Sequence, residues 1–139
     1  MAQNPKLSQK SVNTEADALG ALFDGGYLRI YNGAQPKNPD EKLSDQTLLA
    51  ELRLPAKCFP PAKDGVLMAN SIAAVSAIAT APSNRQASWF RAFHSDGTSP
   101  LLDGTVGTKQ SDSDCKINTT AIQINAAVEI GSLVLMLAK

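Results

Sequence analysis

The sequence predicts a mainly β protein: an antiparallel β-sandwich of the jelly-roll or Greek-key type, with one short N-terminal helix and an extended N-terminal arm. The first observation is a pair of strand-turn units, YLRIYNG at 27–33 and ASWFRAFHSDG at 87–97, which run into Asn-Gly and Asp-Gly turns. The second is a series of about seven to nine short apolar stretches at roughly ten-residue spacing, separated by Gly, Pro, Asn and Asp. With 139 residues, the chain is long enough to bury one core.

The chain divides into an extended arm, residues 1–12, and a single β-sandwich domain, residues 13–139. The beginning of the arm is polar, contains Pro5 and has no periodic apolar positions. We therefore expect order in the arm only where a neighbouring chain holds it.

The helix is predicted to begin at Thr14, because Thr as N-cap with Asp17 three residues later resembles a capping box. Gly25 and Gly26 are expected to end it. An apolar stripe should pack on the sheet, and it consists of Ala18, Leu19, Leu22 and Phe23.

The two strand-turn units place their side chains on defined faces of a sheet. At 27–32, Leu28 and Ile30 lie on one face, and at 87–94 both faces carry apolar bulk, which predicts a strand packed between two layers. The remaining strands are predicted at 47–54, 66–69, 72–81, 101–102, 115–118, 121–125 and 128–137. A helix stays open as the alternative at 47–54 and in the alanine-rich segment 72–81. Polar or proline-rich connections are predicted at 33–45, 55–65 and 109–114.

The charge balance limits the kinds of partner. Thirteen basic and thirteen acidic side chains give a net charge of zero, so we expect no direct binding to nucleic acid, which requires several phosphates to be neutralised together. The longest apolar run, residues 133–138, is far shorter than the ~20 residues of a membrane-spanning helix. The polar N-terminus has no signal-peptide core. We expect a protein made in the cytoplasm, with no membrane partner, whose surface lies against other proteins.

Cys58 and Cys115 lie far apart in the sequence and form no C-x-x-C pattern. Together with a single histidine they fall short of the about four ligands of a structural zinc site. We expect two free, partly buried thiols, with a disulfide between them left open.

No residue pattern predicts catalysis, and the chain is expected not to be an enzyme. His94 is the only general-base candidate near neutral pH, and Ser95 and Asp96 follow it directly. A catalytic triad needs such groups to converge from separate elements, so a histidine beside a turn is the expected arrangement.

Two further segments carry polar or glycine-rich patterns without a functional motif. Asp112 and Asp114 have the spacing of calcium-loop carboxylates but lack the loop's glycine and distal glutamate. Residues 104–108 contain two glycines but open no helix that could hold a phosphate. The sequence therefore predicts no catalytic, cofactor-binding or metal-binding residue, and no cofactor.

Three segments resemble a family of small virion-associated proteins of tailed phages and prophages. They are L-R-I-Y-N-G-A-Q-P at 28–36, T-L-L-A-E-L at 47–52, and W-F-R-A-F at 89–93 with the turns S-D-G-T at 95–98 and D-G-T-V-G at 103–107. The resemblance covers most of residues 17–125, in order. Residues 56–61 and 131–139 fit the family pattern less well.

The resemblance implies a capsid decoration (cement) protein of the virion. Its partners would be the major capsid protein or other virion proteins, and further copies of itself. The arm and the loops at 33–45 and 55–65 would carry the contacts, because proline-rich loops cost little entropy to fix.

Two alternatives stay open. The first is a neck, collar or tail accessory protein of the same virion. The second belongs to another class, a glycan- or host-binding module, and would require an exposed Trp89 or Tyr31 to stack against a sugar.

Overall fold

The computed structural model describes residues 4–78 and 84–136 of the chain. This part of the chain contains one short helix and nine strands, which confirms the mainly β class. The elements are α1 (Gln9–Ala21), β1 (Tyr27–Tyr31), β2 (Leu48–Arg53), β3 (Val66–Met68), β4 (Val75–Ser76), β5 (Trp89–Phe93), β6 (Pro100–Gly107), β7 (Cys115–Ile117), β8 (Ala127–Val128) and β9 (Ile130–Met136).

Helix α1 begins at Gln9 with Ser8 as its N-cap, six residues before the predicted N-cap Thr14. The Ser8 side chain accepts a hydrogen bond from the Ser11 N–H at 3.1 Å. Thr14 lies inside the helix, where its hydroxyl donates to the Lys10 carbonyl at 2.8 Å. Residues 9–12, which the sequence assigned to the arm, are therefore helical.

The buried face of α1 also differs from the predicted stripe. Val12, Ala16 and Gly20 are buried at four-residue spacing, whereas Leu22, at the C-cap, is 45% exposed. Of the other stripe residues, Ala18 is exposed, Leu19 is half-buried and Phe23 is buried beyond the end of the helix. Small residues on the inner face let the helix axis lie close to the sheet, so that α1 packs against β3.

Seven strands form one sheet in the order β2-β1-β5-β6-β7-β9-β3, and β4 and β8 form a separate two-stranded ladder. All neighbouring strands in the large sheet are antiparallel except β6 and β7, which are parallel. The described strands thus do not divide into two comparable sheets, and the predicted sandwich is not confirmed. Strand spacing along a sequence does not distinguish one sheet from two, because long-range pairings such as β1 with β5 decide it.

Strand alternation gives the large sheet two different faces. On the inner face, Leu28, Ile30, Phe90 and Ala92 are fully buried in the main apolar core. On the outer face, three residue pairs lie opposite each other between β1 and β5: Tyr27 and Phe93, Arg29 and Arg91, Tyr31 and Trp89. All five residues of β5 are buried, as predicted for a strand with material on both faces.

Two predicted strands are much shorter or absent. Within 72–81 only Val75–Ser76 is a strand, and residues 79–81 lie outside the described ranges. Within 121–125 only Ala121 forms an isolated bridge, to Gln86. Asn125 has a φ of 59°, which ends any extended run there.

Candidate functional site

The aromatic and arginine side chains of the two strand-turn units meet on the outer face of β1 and β5. The rings of Tyr31 and Trp89 stack, with centroids 4.7 Å apart and 17° between their planes. The Arg91 guanidinium lies 5.4 Å from the Trp89 centroid, and that of Arg29 lies 4.2 Å from the Phe93 centroid. We call Tyr27, Arg29, Tyr31, Trp89, Arg91 and Phe93 the arginine–aromatic cluster.

Arg91 is a buried cation, only 5% exposed, at the centre of this cluster. Its Nε and Nη2 donate to the two carboxylate oxygens of Asp103 at 2.7 and 3.0 Å. This bidentate hydrogen bonding raises the pKa of Arg91 above its usual value. The same guanidinium donates to the carbonyl oxygens of Glu41 at 2.9 Å and Asn38 at 3.3 Å. Arg91 therefore joins β5, β6 and the loop 33–45.

Asn32 fixes the start of the loop 33–45. Its Oδ1 accepts a hydrogen bond from the Thr47 N–H at 2.7 Å, and its Nδ2 donates to the Asn84 carbonyl at 2.7 Å. Its own carbonyl accepts from Trp89 Nε1 at 2.9 Å. The two ends of the loop are thus held together over the sheet, while Arg91 holds its middle.

The loop 33–45 also has hydrogen bonds of its own. The Lys37 N–H donates to the Glu41 carboxylate at 2.9 Å, and the Asp40 N–H donates to Asn38 Oδ1 at 3.0 Å. All its residues except the half-buried Pro36 and Pro39 are exposed. It is consequently a fixed polar projection, accessible to a partner along its length.

The loop 55–65, the second predicted contact loop, has some residues in the core and others exposed to solvent. Cys58, Phe59 and Ala62 are buried, and Phe59 packs edge to face against Phe23 with centroids 5.4 Å apart. Side chains in or just after α1 accept hydrogen bonds from three of its backbone N–H groups. These bonds run from Cys58 to Asp24 at 2.8 Å, from Ala62 to Asp17 at 2.7 Å and from Gly65 to Asn13 at 2.9 Å. The described part of the arm, residues 4–8, is exposed throughout.

His94 and Asp96 have separate structural partners and do not form a triad. His94 Nδ1 lies 2.9 Å from the Leu22 carbonyl oxygen. Asp96 accepts from the Ser99 hydroxyl at 2.5 Å and from two backbone N–H groups of the turn. The hydroxyl bond and then these N–H bonds lower the pKa of Asp96 to about 2. The carboxylate thus stabilises the β5–β6 turn.

The other polar segments have structural roles too. Asp114 Oδ2 accepts from the Thr105 N–H at 3.0 Å and from its hydroxyl at 3.1 Å. A side chain at Gly104 would overlap the ring of Phe90, so this glycine allows close strand packing. Over residues 4–78 and 84–136, no group of three or more His, Cys, Asp or Glu side chains is placed to bind a metal ion.

Cys58 and Cys115 are free and fully buried. Burial is the main cause that raises the pKa of each thiol to about 12, so neither is suited to nucleophilic chemistry. The disulfide left open by the sequence is not formed.

The stacked rings of Trp89 and Tyr31 are not accessible to a ligand. Trp89 is 0% and Tyr31 4% exposed, so neither offers a face to a sugar. A hollow of about 680 Å³ has Ile72, Ile117 and Ile130 among its lining residues, but no cluster of catalytic groups. The described chain has no helix that is long and apolar enough to cross a membrane.

Comparison with known proteins gives no match to a family model, to a curated protein or to a solved structure.

Sequence reasoning did not predict the roles of Arg91 and Asn32 as anchors of the loop 33–45. One signal was present, because Arg91 stands between Trp89 and Phe93 on a strand that is apolar on both faces. A charge at such a position requires a buried partner.

Proposed function

We propose that this chain is a structural protein of a tailed-phage virion: a capsid decoration protein that stabilises the head by bridging capsid subunits. One observation carries the proposal. The segments that resemble the phage family, 28–36, 89–93 and 103–107, supply Asn32, Arg91 and Asp103, and these side chains together hold the loop 33–45 in place. The shared pattern therefore maintains an exposed contact surface.

A bridging protein benefits from a surface that is ordered before binding. The loop 33–45 is fixed by Arg91 and Asn32 while its residues face solvent, so little conformational entropy remains to be lost on contact with a shell. Many copies, each with a modest contact, would stabilise a lattice through avidity. The net charge of zero would let copies lie close together without long-range repulsion.

The burial of Trp89 and Tyr31 removes the stacking surface that a glycan-binding module would need. The fixed loop therefore favours protein–protein contact over sugar binding. A neck, collar or tail accessory protein of the same virion would use the same kind of surface. Its location on the particle distinguishes it from a capsid decoration protein.

The contact role of the loop can be tested with the double variant Lys42→Glu/Leu43→Asp. Both side chains are exposed, Leu43 by 40%, and neither anchors the loop. The measurement is the number of copies per purified particle of the phage or prophage that encodes the chain, by quantitative mass spectrometry. We expect at least about a tenfold loss of incorporation, as for a disrupted interface centre.

The matched control is Lys109→Glu/Ile124→Asp. It makes the same change in charge and replaces an apolar residue of nearly the same exposure, 42% for Ile124. It should incorporate normally. Equal incorporation of both double variants would contradict a contact role for the loop 33–45.

A further inference from the structure

In the described part of the chain, the outer face of the large sheet is exposed at the β9–β3 end, opposite the end that the loop 33–45 covers. In the register of these strands, Val66 lies opposite Met136 and Met68 lies opposite Val134. Residues directly opposite share a face, so these four side chains form one apolar surface, here called the methionine strip. Met68 is 60% and Met136 72% exposed, the highest values among the large hydrophobic residues of the described chain.

The other face of the same strands belongs to the core. Leu67, Leu133 and Leu135 are 1%, 2% and 3% exposed, and Leu67 packs against α1 at Gly20. The strip is therefore carried by paired strands with a packed layer behind it. Strands that are apolar on both faces require a second packing layer on the face that is exposed to solvent.

The outer edge of β3 is not available for pairing with a further strand. Lys63 and Val66 exchange both backbone hydrogen bonds across a two-residue turn, and the Asn70 N–H donates to the Cys58 carbonyl at 2.8 Å. The chain from 58 to 63 thus runs beside β3, and it includes two prolines at 60–61, which have no N–H to offer. A partner can therefore contact the methionine strip on the face of the sheet, and not by pairing with the edge of β3.

Charges of opposite sign flank the strip. Lys63 lies on the side of β3, opposite Val66. Asp112 lies on the other side, where it lines a hollow of about 380 Å³ together with Val134 and Met136. Asp114 and Lys116, which carry opposite charges, line the same hollow. The side chains of Lys63 and Asp112 are exposed, and neither has a salt-bridge partner among the described residues.

We propose that the methionine strip is the contact between two copies of this chain, packed face to face across a two-fold axis parallel to the strands. A rotation about such an axis exchanges the two flanks of the strip. Lys63 of each copy then faces Asp112 of the other, and the apolar strips meet between these pairs. The surface is self-complementary, as a two-fold contact requires, and methionine side chains adapt readily to such packing.

This dimer would complete a two-layer arrangement of sheets from two chains. It does not depend on the proposed virion function, because it is a property of the purified chain alone. The two proposals can therefore fail separately.

The test is sedimentation velocity on the purified full chain over a range of concentrations. We expect a dimer for the wild type and a monomer for Met68→Lys and for Met136→Lys. Ile124→Lys, at an exposed apolar residue outside the strip, should remain dimeric. Circular dichroism of each variant separates loss of the dimer from loss of the fold.

The flanking charges give a second, independent test. Lys63→Asp and Asp112→Lys should each weaken the dimer by at least about tenfold in dissociation constant, and the double variant should restore it, because each new charge faces its opposite on the other copy. A monomeric wild type would overturn the proposal, as would a double variant no tighter than the single ones. Equal loss of the dimer in Ile124→Lys would also overturn it.

Discussion

At the residue scale, two ion pairs on the outer face have nearly the same length but different surroundings. Arg91 and Asp103 approach to 2.7 Å with side chains 6% and 3% exposed, and Arg29 and Glu51 approach to 2.6 Å with side chains 23% and 41% exposed. The length of each ion pair therefore does not decide how much it contributes to the free energy of unfolding. Burial decides it, because loss of one partner of a buried pair leaves a charge without water or a counter-ion.

We expect Arg91→Ala to lower the free energy of unfolding by about 3–5 kcal/mol, since it strands the buried Asp103 carboxylate and releases the loop 33–45. Arg29→Ala, the matched control, should cost at most about 1 kcal/mol, because Glu51 is partly solvated. Urea unfolding of both variants measures the difference. Similar losses for the two would show that Arg91 has no special role.

Residue-level prediction from sequence succeeded where strand alternation decides orientation and failed where long-range partners decide it. The placement of Leu28 and Ile30 on one face follows from the two-residue period of a strand, and both residues lie in the core. The burial of Arg91 depends on Asp103 and on the carbonyls of Glu41 and Asn38. No local pattern indicates those partners.

At the element scale, helix α1 organises the loop 55–65 as well as part of the core. Asn13 and Asp17 project from the helix and Asp24 follows it, and all three accept hydrogen bonds from backbone N–H groups of the loop. This explains how a proline-rich segment that looked like a free loop buries Cys58, Phe59 and Ala62. Its polar backbone is satisfied by side chains instead of water.

We expect Asp17→Ala to cost about 1–3 kcal/mol of unfolding free energy, because the N–H of the buried Ala62 loses its acceptor. Amide hydrogen exchange at Ala62 should accelerate by a corresponding factor. Glu15→Ala removes the same charge from an exposed position of the same helix and serves as control. Unchanged exchange at Ala62 in Asp17→Ala would contradict this role of the helix.

The elements themselves were predicted unevenly. β1 and β5 were recognised with the correct type, because each has a clear apolar pattern. At 47–54, where β2 forms, a strand was predicted with a helix as the open alternative. The start of α1 was misplaced because Thr14 and Ser8 both suit an N-cap, and the helix extends to the earlier one. The weak segment 72–81 contains only a two-residue strand in its described part.

At the scale of the whole molecule, the sheet is unequally covered on its outer face. The loop 33–45 lies over β1 and β5 through Arg91, whereas Met68 and Met136 stay exposed on β3 and β9. The sandwich was predicted from the number and spacing of the strands, and apolar bulk on both faces was assigned only to the strand at 87–94. The number of sheets depends on strand pairings that the sequence pattern does not contain.

The two exposed surfaces suit different partners. The fixed polar loop 33–45 is proposed to contact the shell, and the methionine strip is proposed to contact a second copy. A decoration protein that is dimeric could bridge two capsid subunits through two loops, which would increase its avidity.

The most direct test of the proposed virion role is a cryo-EM map of phage particles purified from cells that carry the gene for this chain. We expect density for the chain at regular positions over the capsid lattice, with the loop 33–45 against a capsid subunit. Density confined to the neck or tail would contradict the head position, and absence of the chain from purified particles would contradict a structural role in the virion.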